Sequence, residues 1–300
     1  MPAKSTTKKV VRKGGKPKKK VTAKEAARRD AAKAEMARQK LVKEAEVTYD
    51  SAGKVKGVKD VFAGLTACHT FSKGGLDLDV EFTSPGDMEE VTRDWTLGLV
   101  RRNMKDQYIG ARWGWSDGEK RKELEDSHAR YLICRKKPVE GAGAAASASA
   151  ASEDEDKDTD RVVSDSKGEL VGFVHFRFML EGEAPVLYVF EIQCEPRARG
   201  KGVGSFLMRA LELVAYQEHM HYVMLTVFTS NAGAKRFYSR LGYDLDELSK
   251  SPAMLTSDVA YQILSKTIDP EVAASKTTRH RALRGRVDVD EPAAAAAVEA

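Results

Sequence analysis

Hydrophobic and polar positions alternate along this chain in blocks that predict a run of helices and strands. The spacing predicts helices at Glu89 to about Lys105 and Glu119 to Glu125. Short apolar runs of strand length and composition follow at Arg130–Arg135, Leu170–Leu180 and Val186–Cys194. A long helical run, Val203 to about Glu218, leads to another strand at Tyr222–Phe228 and a helix from Ala232 to Leu241. Late strands are expected near Tyr243–Leu245 and Tyr261–Ser265. An antiparallel start followed by alternating strands and helices predicts an α/β fold, a mixed sheet covered by helices. Such sheets bind ligands where neighbouring strands part at their C-terminal edge.

Elsewhere the pattern fails, and the failures mark boundaries. Met1 to Lys20 is nearly devoid of core-forming residues and is expected to be disordered. From Lys24 to about Val47 the Ala/Glu/Arg/Lys composition favours helix. Val139 to about Asp160 runs through Gly, Ala and Ser into Glu153-Asp154-Glu155-Asp156, with strand-like residues on either side. It reads as a disordered insertion in a hairpin loop, tolerated because closure entropy grows slowly with length. Ser275 to Ala300 again lacks a core pattern. The expected organisation is a basic tail at 1–23, N-terminal helices and first strands at 24–138, the insertion at 139–160, a ligand-binding core at 161–268 and a tail at 269–300.

Charge sharpens that division. Residues 1–44 hold 16 Lys+Arg against 4 Asp+Glu, a net of +12 in a chain totalling +5, so residues 45–300 carry −7. Attraction to ribosomes or nucleic acid therefore belongs to the N-terminal segment, with a solvated tail an equal reading of its lysine clusters. No apolar run approaches the roughly 18 residues that span a bilayer, and the basic start lacks an apolar signal region, so no membrane partner is expected. Cys68, Cys134 and Cys194 are odd in number and widely spaced, reading as buried thiols with neither a disulfide framework nor a metal site.

The chemistry concentrates at Arg199-Gly200-Lys201-Gly202-Val203-Gly204-Ser205. A strand that breaks into glycines and then opens a helix presents free backbone N–H groups at a positive helix end, an anion cradle suited to a pyrophosphate. The dinucleotide and P-loop patterns do not fit it. Upstream, regular strand alternation puts Tyr188 and Phe190 on one face and Glu191 on the other, unless a bulge redirects it.

The order R-x-x-G-x-G between strand and helix resembles the coenzyme A loop of the GNAT acetyltransferases. Further segments resemble one branch of that superfamily. They are Asn103-Met104-Lys105-Asp106-Gln107-Tyr108, Trp113-Gly114-Trp115, His175-Phe176-Arg177-Phe178, Leu187-Tyr188-x-x-Glu191-x-Gln193, Val223–Phe228 and Tyr261-x-Ile263-Leu264-Ser265. Together, over roughly residues 25–266, they look like the NatD-type N-alpha-acetyltransferases. The resemblance implies the GNAT fold, a mixed central sheet flanked by helices with an extra N-terminal helical segment. It also implies acetyl-CoA as donor, no metal, and an enzyme of cytoplasm and nucleus acting on histone-four and histone-two-A tails that begin Ser-Gly-Arg-Gly.

Carried onto this chain, the resemblance makes Glu191 the general base and Tyr238 the acid for the leaving thiolate. Ile192, Gln193 and Cys194 offer backbone groups to the pantetheine arm, Arg199 to Ser205 cradle the pyrophosphate, and Asn231 contacts the cofactor or caps a helix. Tyr108, Trp113, Met179, Leu180, Glu181, Tyr188, Phe190, Thr226 and Tyr261 fall at acceptor-contact positions. Two of these depart from the family. Met179 stands where it has an acidic residue that helps hold the substrate arginine, and Phe190 replaces a substrate-facing tyrosine, so Glu181 carries the remaining negative charge, with Glu183 the candidate to compensate. A lysine or small-amine acetyltransferase, and a non-catalytic acyl-CoA- or nucleic-acid-binding protein, are the alternative readings.

Overall fold

The computed structural model describes residues 23–136, 162–247, 249 and 259–275. The expected basic tail, the 139–160 insertion and most of the C-terminal tail lie outside these residues. Residues 270–275, assigned by composition to that tail, form a helical turn. The chain divides into two units, Met1–Ala37 and Arg38–Ala300. The described part of the first is the beginning of helix α1 (Ala23–Glu46), whose Ala-, Glu- and Lys-rich sequence favours helix without tertiary help.

In the second unit, strands β1 (Val47–Tyr49) and β2 (Val55–Val58) form a separate antiparallel pair. Among the described residues the main sheet has nine strands: β3 (Thr70–Lys73), β4 (Leu76–Thr83), β5 (Arg130–Lys136), β6 (Ser164–Asp165), β7 (Gly168–Glu181), β8 (Ala184–Cys194), β9 (Tyr222–Phe228), β10 (Asp244–Leu245) and β11 (Tyr261–Thr267). Their order is β10-β11-β9-β8-β7-β5-β4-β3, with β6 on β7. Every pairing is antiparallel except β8 with β9. That parallel pair is joined by a helical crossover, as parallel strands require. β5 and β7 are direct antiparallel partners, so the sequence between them connects two neighbouring strands.

Helices cover both faces. Helix α4 (Val203–Gln217) packs Leu207, Met208, Leu211 and Val214 onto one face, against Leu132, Val174, Phe176 and Leu187. Helices α2 (Glu90–Gly110) and α3 (Asp117–Leu124) cover the other, where Trp95, Leu99, Val100 and Leu124 meet Tyr131, Ile133 and Phe173. The alternation of β5 is visible in this split: Tyr131 and Ile133 face α2, Leu132 and Cys134 face α4. Each such fully buried side chain stabilises the fold by about 1.5–3 kcal/mol. Helix α5 (Ala232–Arg240) follows β9. The strands at 47–83 had no place in the element reading. β1, β2 and β3 are only three or four residues long and take strand form in the context of their partners, whereas β4 alternates apolar and polar residues over all eight positions, a plain period-two signal absent from the expected strands.

Candidate active site

β8 and β9 are paired only from Val186↔Tyr222 to Val189↔Leu225. Beyond that, β8 stays with β7 up to Cys194, while β9 stays with β11 up to Phe228. The two strands therefore fork, and a cleft of about 960 Å³ opens between them. The backbone of Phe190 to Cys194 has no β9 partner, leaving its polar groups on that side for a ligand.

A bulge decides which side chains enter the cleft. His175 pairs with Glu191 but Phe176 pairs with Val189, so Phe190 is one residue too many on β8. The extra residue shifts the alternation and brings Tyr188 and Glu191 to line the same cleft. Phe190 itself is held between the stacked His175 ring, 5.1 Å between centroids, and the Arg177 guanidinium, 4.3 Å from its own centroid.

At one end lies the cradle. Gly200 and Gly202 have φ of 73° and 98°, a left-handed geometry that glycine adopts without cost. Helix α4 then starts with no side-chain cap and no acidic residue in its first turn, so its N–H groups stay available to an anion. A Cβ on Gly204 would sit 3.3 Å from the Phe237 ring, which ties the helix start to α5. Gly200, Gly204 and Asn231 line the cleft here. Asn231 is also the N-cap of α5, its side chain accepting from the Ala234 N–H at 2.9 Å.

Not every cradle residue faces the cleft. Lys201 packs against the β3–β4 turn, Val203 is buried in the core, and Gly202 and Ser205 contribute backbone position only. The Arg199 guanidinium turns back to donate to the Cys194 carbonyl at 3.2 Å and to the Asn103 side-chain oxygen. Those bonds brace the loop.

Glu191 sits at the centre, 5 % exposed. One carboxylate oxygen lies 3.2 Å from Lys120 Nζ, and the other accepts from Gln193 Nε2 at 2.8 Å. Burial raises its pKa above the ordinary carboxylate range, against the opposing pull of Lys120 and Gln193. Two lone-pair positions remain for a proton or a water. Gln193 is in turn fixed by Asn103 Nδ2 donating to its Oε1 at 2.9 Å, so its side chain matters here as well as its backbone. Tyr238 is buried on α5 beside the cleft, and burial followed by the Glu191 charge pushes its phenol up, so it keeps its proton at neutral pH.

The other end is a wall of side chains. Tyr108, Trp113, Met179, Glu181, Tyr188, Phe190 and Thr226 line it. Tyr188 and Thr226 share a hydrogen bond of 2.5 Å between hydroxyls. Trp113, 49 % exposed, stands edge-on to Tyr108, Phe228 and Tyr261. Leu180 alternates out of the cleft between Met179 and Glu181, and Tyr261 reaches it only through Trp113. Glu183 lies outside, 3.8 Å from Arg38.

Three participants escaped the sequence reading: Asn103, Lys120 and Glu123. Asn103 carried a usable signal, since 103, 104, 107 and 108 fall on one helix face and all line the cleft. Lys120 and Glu123 sit in a charged octapeptide that reads as a solvated helix. The thiol of Cys194, beside the cradle, is pushed up to about 11 by burial, which leaves it protonated and a poor nucleophile near neutral pH. Among the described residues, no group of His, Cys, Asp and Glu is placed to hold a metal ion.

Residues 133–243 match the model of the Acetyltransferase (GNAT) family. Three similar solved structures are a nourseothricin acetyltransferase, a GNAT-family acetyltransferase from Listeria monocytogenes, and the PaiA N-acetyltransferase from Thermoplasma acidophilum in complex with coenzyme A. The first is 21 % identical, covers 48 % of this chain and 68 % of its own, and has a TM-score of 0.31. The second is 12 % identical, covers 66 % and 99 %, and has a TM-score of 0.42. The third is 13 % identical, covers 64 % and 99 %, and has a TM-score of 0.40. The family uses acetyl-CoA, and the forked strands, unpaired β8 backbone and uncapped glycine turn fit that donor, which when bound supplies an acyl thioester. Over the fork, the cradle and α5, this chain is therefore similar to the GNAT-family acetyltransferases.

Proposed function

We propose that the enzyme is an N-alpha-acetyltransferase of the NatD type. It moves the acetyl group of acetyl-CoA to the free α-amino group of histone-four and histone-two-A tails beginning Ser-Gly-Arg-Gly. The observation that carries this reading is the bulge at Phe190, which puts Glu191 on the cleft side with Tyr188, between the cradle and the aromatic wall.

An α-amine has an ordinary pKa near 7.7–8.0, so roughly a tenth to a fifth is already free base at about pH 7, whereas a lysine amine is well under about 0.1 % free. A terminal amine therefore needs only a modest base held at the right place. Glu191 takes the amine's proton, directly or through one water, as nitrogen attacks the acyl carbon. The carbon–sulfur bond then breaks, and Tyr238 supplies a proton to the departing thiolate. Trp113, Tyr108 and Tyr188 enclose a small first residue, while Glu181 gives a cationic third residue its counter-charge. The basic segment at 1–44 draws the enzyme to ribosomal or nuclear polyanions, in the cytoplasm and nucleus, near newly made or assembled histones.

Mass spectrometry of a mixed peptide panel incubated with acetyl-CoA tests the proposal. Acetylation confined to free Ser-Gly-Arg-Gly termini is the expected result. Equal turnover of amino-terminally blocked, lysine-containing peptides would overturn it in favour of a side-chain acetyltransferase.

A further inference from the structure

Lys120 is 6 % exposed, yet its ammonium carries a full set of partners. It donates to the Tyr108 hydroxyl at 2.8 Å, to Glu123 Oε1 at 2.8 Å and to Glu191 Oε1 at 3.2 Å. An ammonium has three N–H donors and no acceptor, so this one is satisfied and its orientation fixed. It also lies 4.7 Å from the centre of the Tyr108 ring. Tyr108, Glu123 and Glu191 all line the cleft, whereas Lys120 does not. The lysine thus reaches the cleft's carboxylates from behind, out of the acceptor's path.

Burying an unmatched cation costs several kcal/mol, and the two carboxylates offset that here. The other groups facing Glu191 leave Lys120 with a distinct role. From its own strand, Gln193 donates but carries no charge. Across the ladder on β7, His175 is held neutral by burial, and Arg177 is engaged by Phe190, Asp126 and the Glu123 carbonyl. From α2, α5 and β5 come the phenols of Tyr108, Tyr238 and Tyr131, each pushed up by burial and so uncharged. Burial lowers the affinity of Lys120 for its proton, but Glu191 and Glu123 outweigh that and keep it cationic.

Taking Glu191 as the base, we infer that Lys120 is the positioning residue that keeps this carboxylate ionised, with its charge shared between Glu191 and Glu123. Without it, burial would leave Glu191 protonated over part of the neutral range and unable to accept the amine's proton. Glu123 is the competitor: removing its charge gives Glu191 the undivided ammonium.

The test is the pH dependence of kcat/KM at saturating acetyl-CoA, with carbon-13 NMR titration of the Glu191 carboxyl alongside. Lys120→Met should raise the acidic limb by about one pH unit or more. The deficit should approach about tenfold on the acidic side of both limbs and close at alkaline pH, one unit being tenfold. Lys120→Arg should keep the wild-type limb, and Glu123→Gln should move it the opposite way. A Lys120→Met profile parallel to wild type, uniformly lowered, would overturn the inference. Should that variant fail to fold, the direction of the Glu123→Gln shift decides, and an unmoved limb counts against it. Wild-type turnover in Glu191→Gln would remove Glu191 as base without touching Lys120. In that event an unchanged NMR titration of Glu191 in Lys120→Met overturns the inference, and a raised one sustains it.

Discussion

The two ends of the cleft are made of different material. At the donor end the contacts are backbone: an unpaired stretch of β8, two left-handed glycines and the uncapped start of α4. At the acceptor end they are side chains gathered from α2, α3, β7, β8 and β9, with aromatic rings alternating with carboxylates. Backbone recognition tolerates most side-chain changes but not an added Cβ. Side-chain recognition tolerates backbone adjustment but not the loss of a ring or a charge. A conserved chemistry is thereby separated from an adjustable specificity.

The sharpest way to break this contrast is Gly202→Glu. There is room for the new atoms, the nearest being 3.8 Å from a Cβ, so the damage is conformational and electrostatic: a φ of 98° forced on a side chain, and a negative charge added at the positive start of α4 that the anion uses. Coenzyme A affinity by calorimetry should fall about 100-fold or more, with about 2.7 kcal/mol lost. At the opposite end, Trp113→Ala should raise acceptor KM about tenfold while leaving coenzyme A affinity within about twofold, as expected for loss of an aromatic anchor. A matching loss at both ends would show that the two are not independent. A smaller effect should follow Met179→Asp, about a two- to fivefold gain in kcat/KM for peptides with arginine third and none for those without, the scale of a partly exposed ion pair.

The smallest effect at neutral pH lies under the bulge. His175 is buried, stacked between Tyr131 and Phe190, and its Nδ1 has no partner. Burial, then Arg177 and Lys120, hold its pKa well below 6.5. The unfolded chain therefore takes up a proton that the folded one refuses, and stability is lost as pH falls through about 6.5. His175→Phe keeps the stack and removes that term. Its melting temperature should match or exceed wild type at about pH 7, and the gap should widen towards pH 5 by up to about 1.4 kcal/mol per unit. A constant gap would mean that the imidazole is not what titrates.

The same contrast explains what could be read in advance. The donor end was legible because its determinants are contiguous: one strand, one glycine turn and one helix, all within Val186–Gln217. The bulge entered as a condition: the resemblance put Tyr188 and Glu191 in one site, which strand alternation allows only if it breaks between them. The acceptor end was legible only through resemblance, because its residues come together by packing across some 150 positions of sequence. Lys120 marks the limit. Nothing local separates a buried ammonium in Asp117–Leu124 from a solvated one, because its burial is imposed by β8 and α2. Leu180 and Lys201, both expected at the site, were lost to strand parity and to packing on a neighbouring turn.

The single surplus residue at Phe190 divides β8 into two rulers with different phase. A change at Tyr188 alters what the protein greets at its mouth, while 191–194 continue to present the same main-chain groups and the same carboxylate. Diversification of clientele can therefore proceed on one half of a strand without renegotiating the reaction performed on the other.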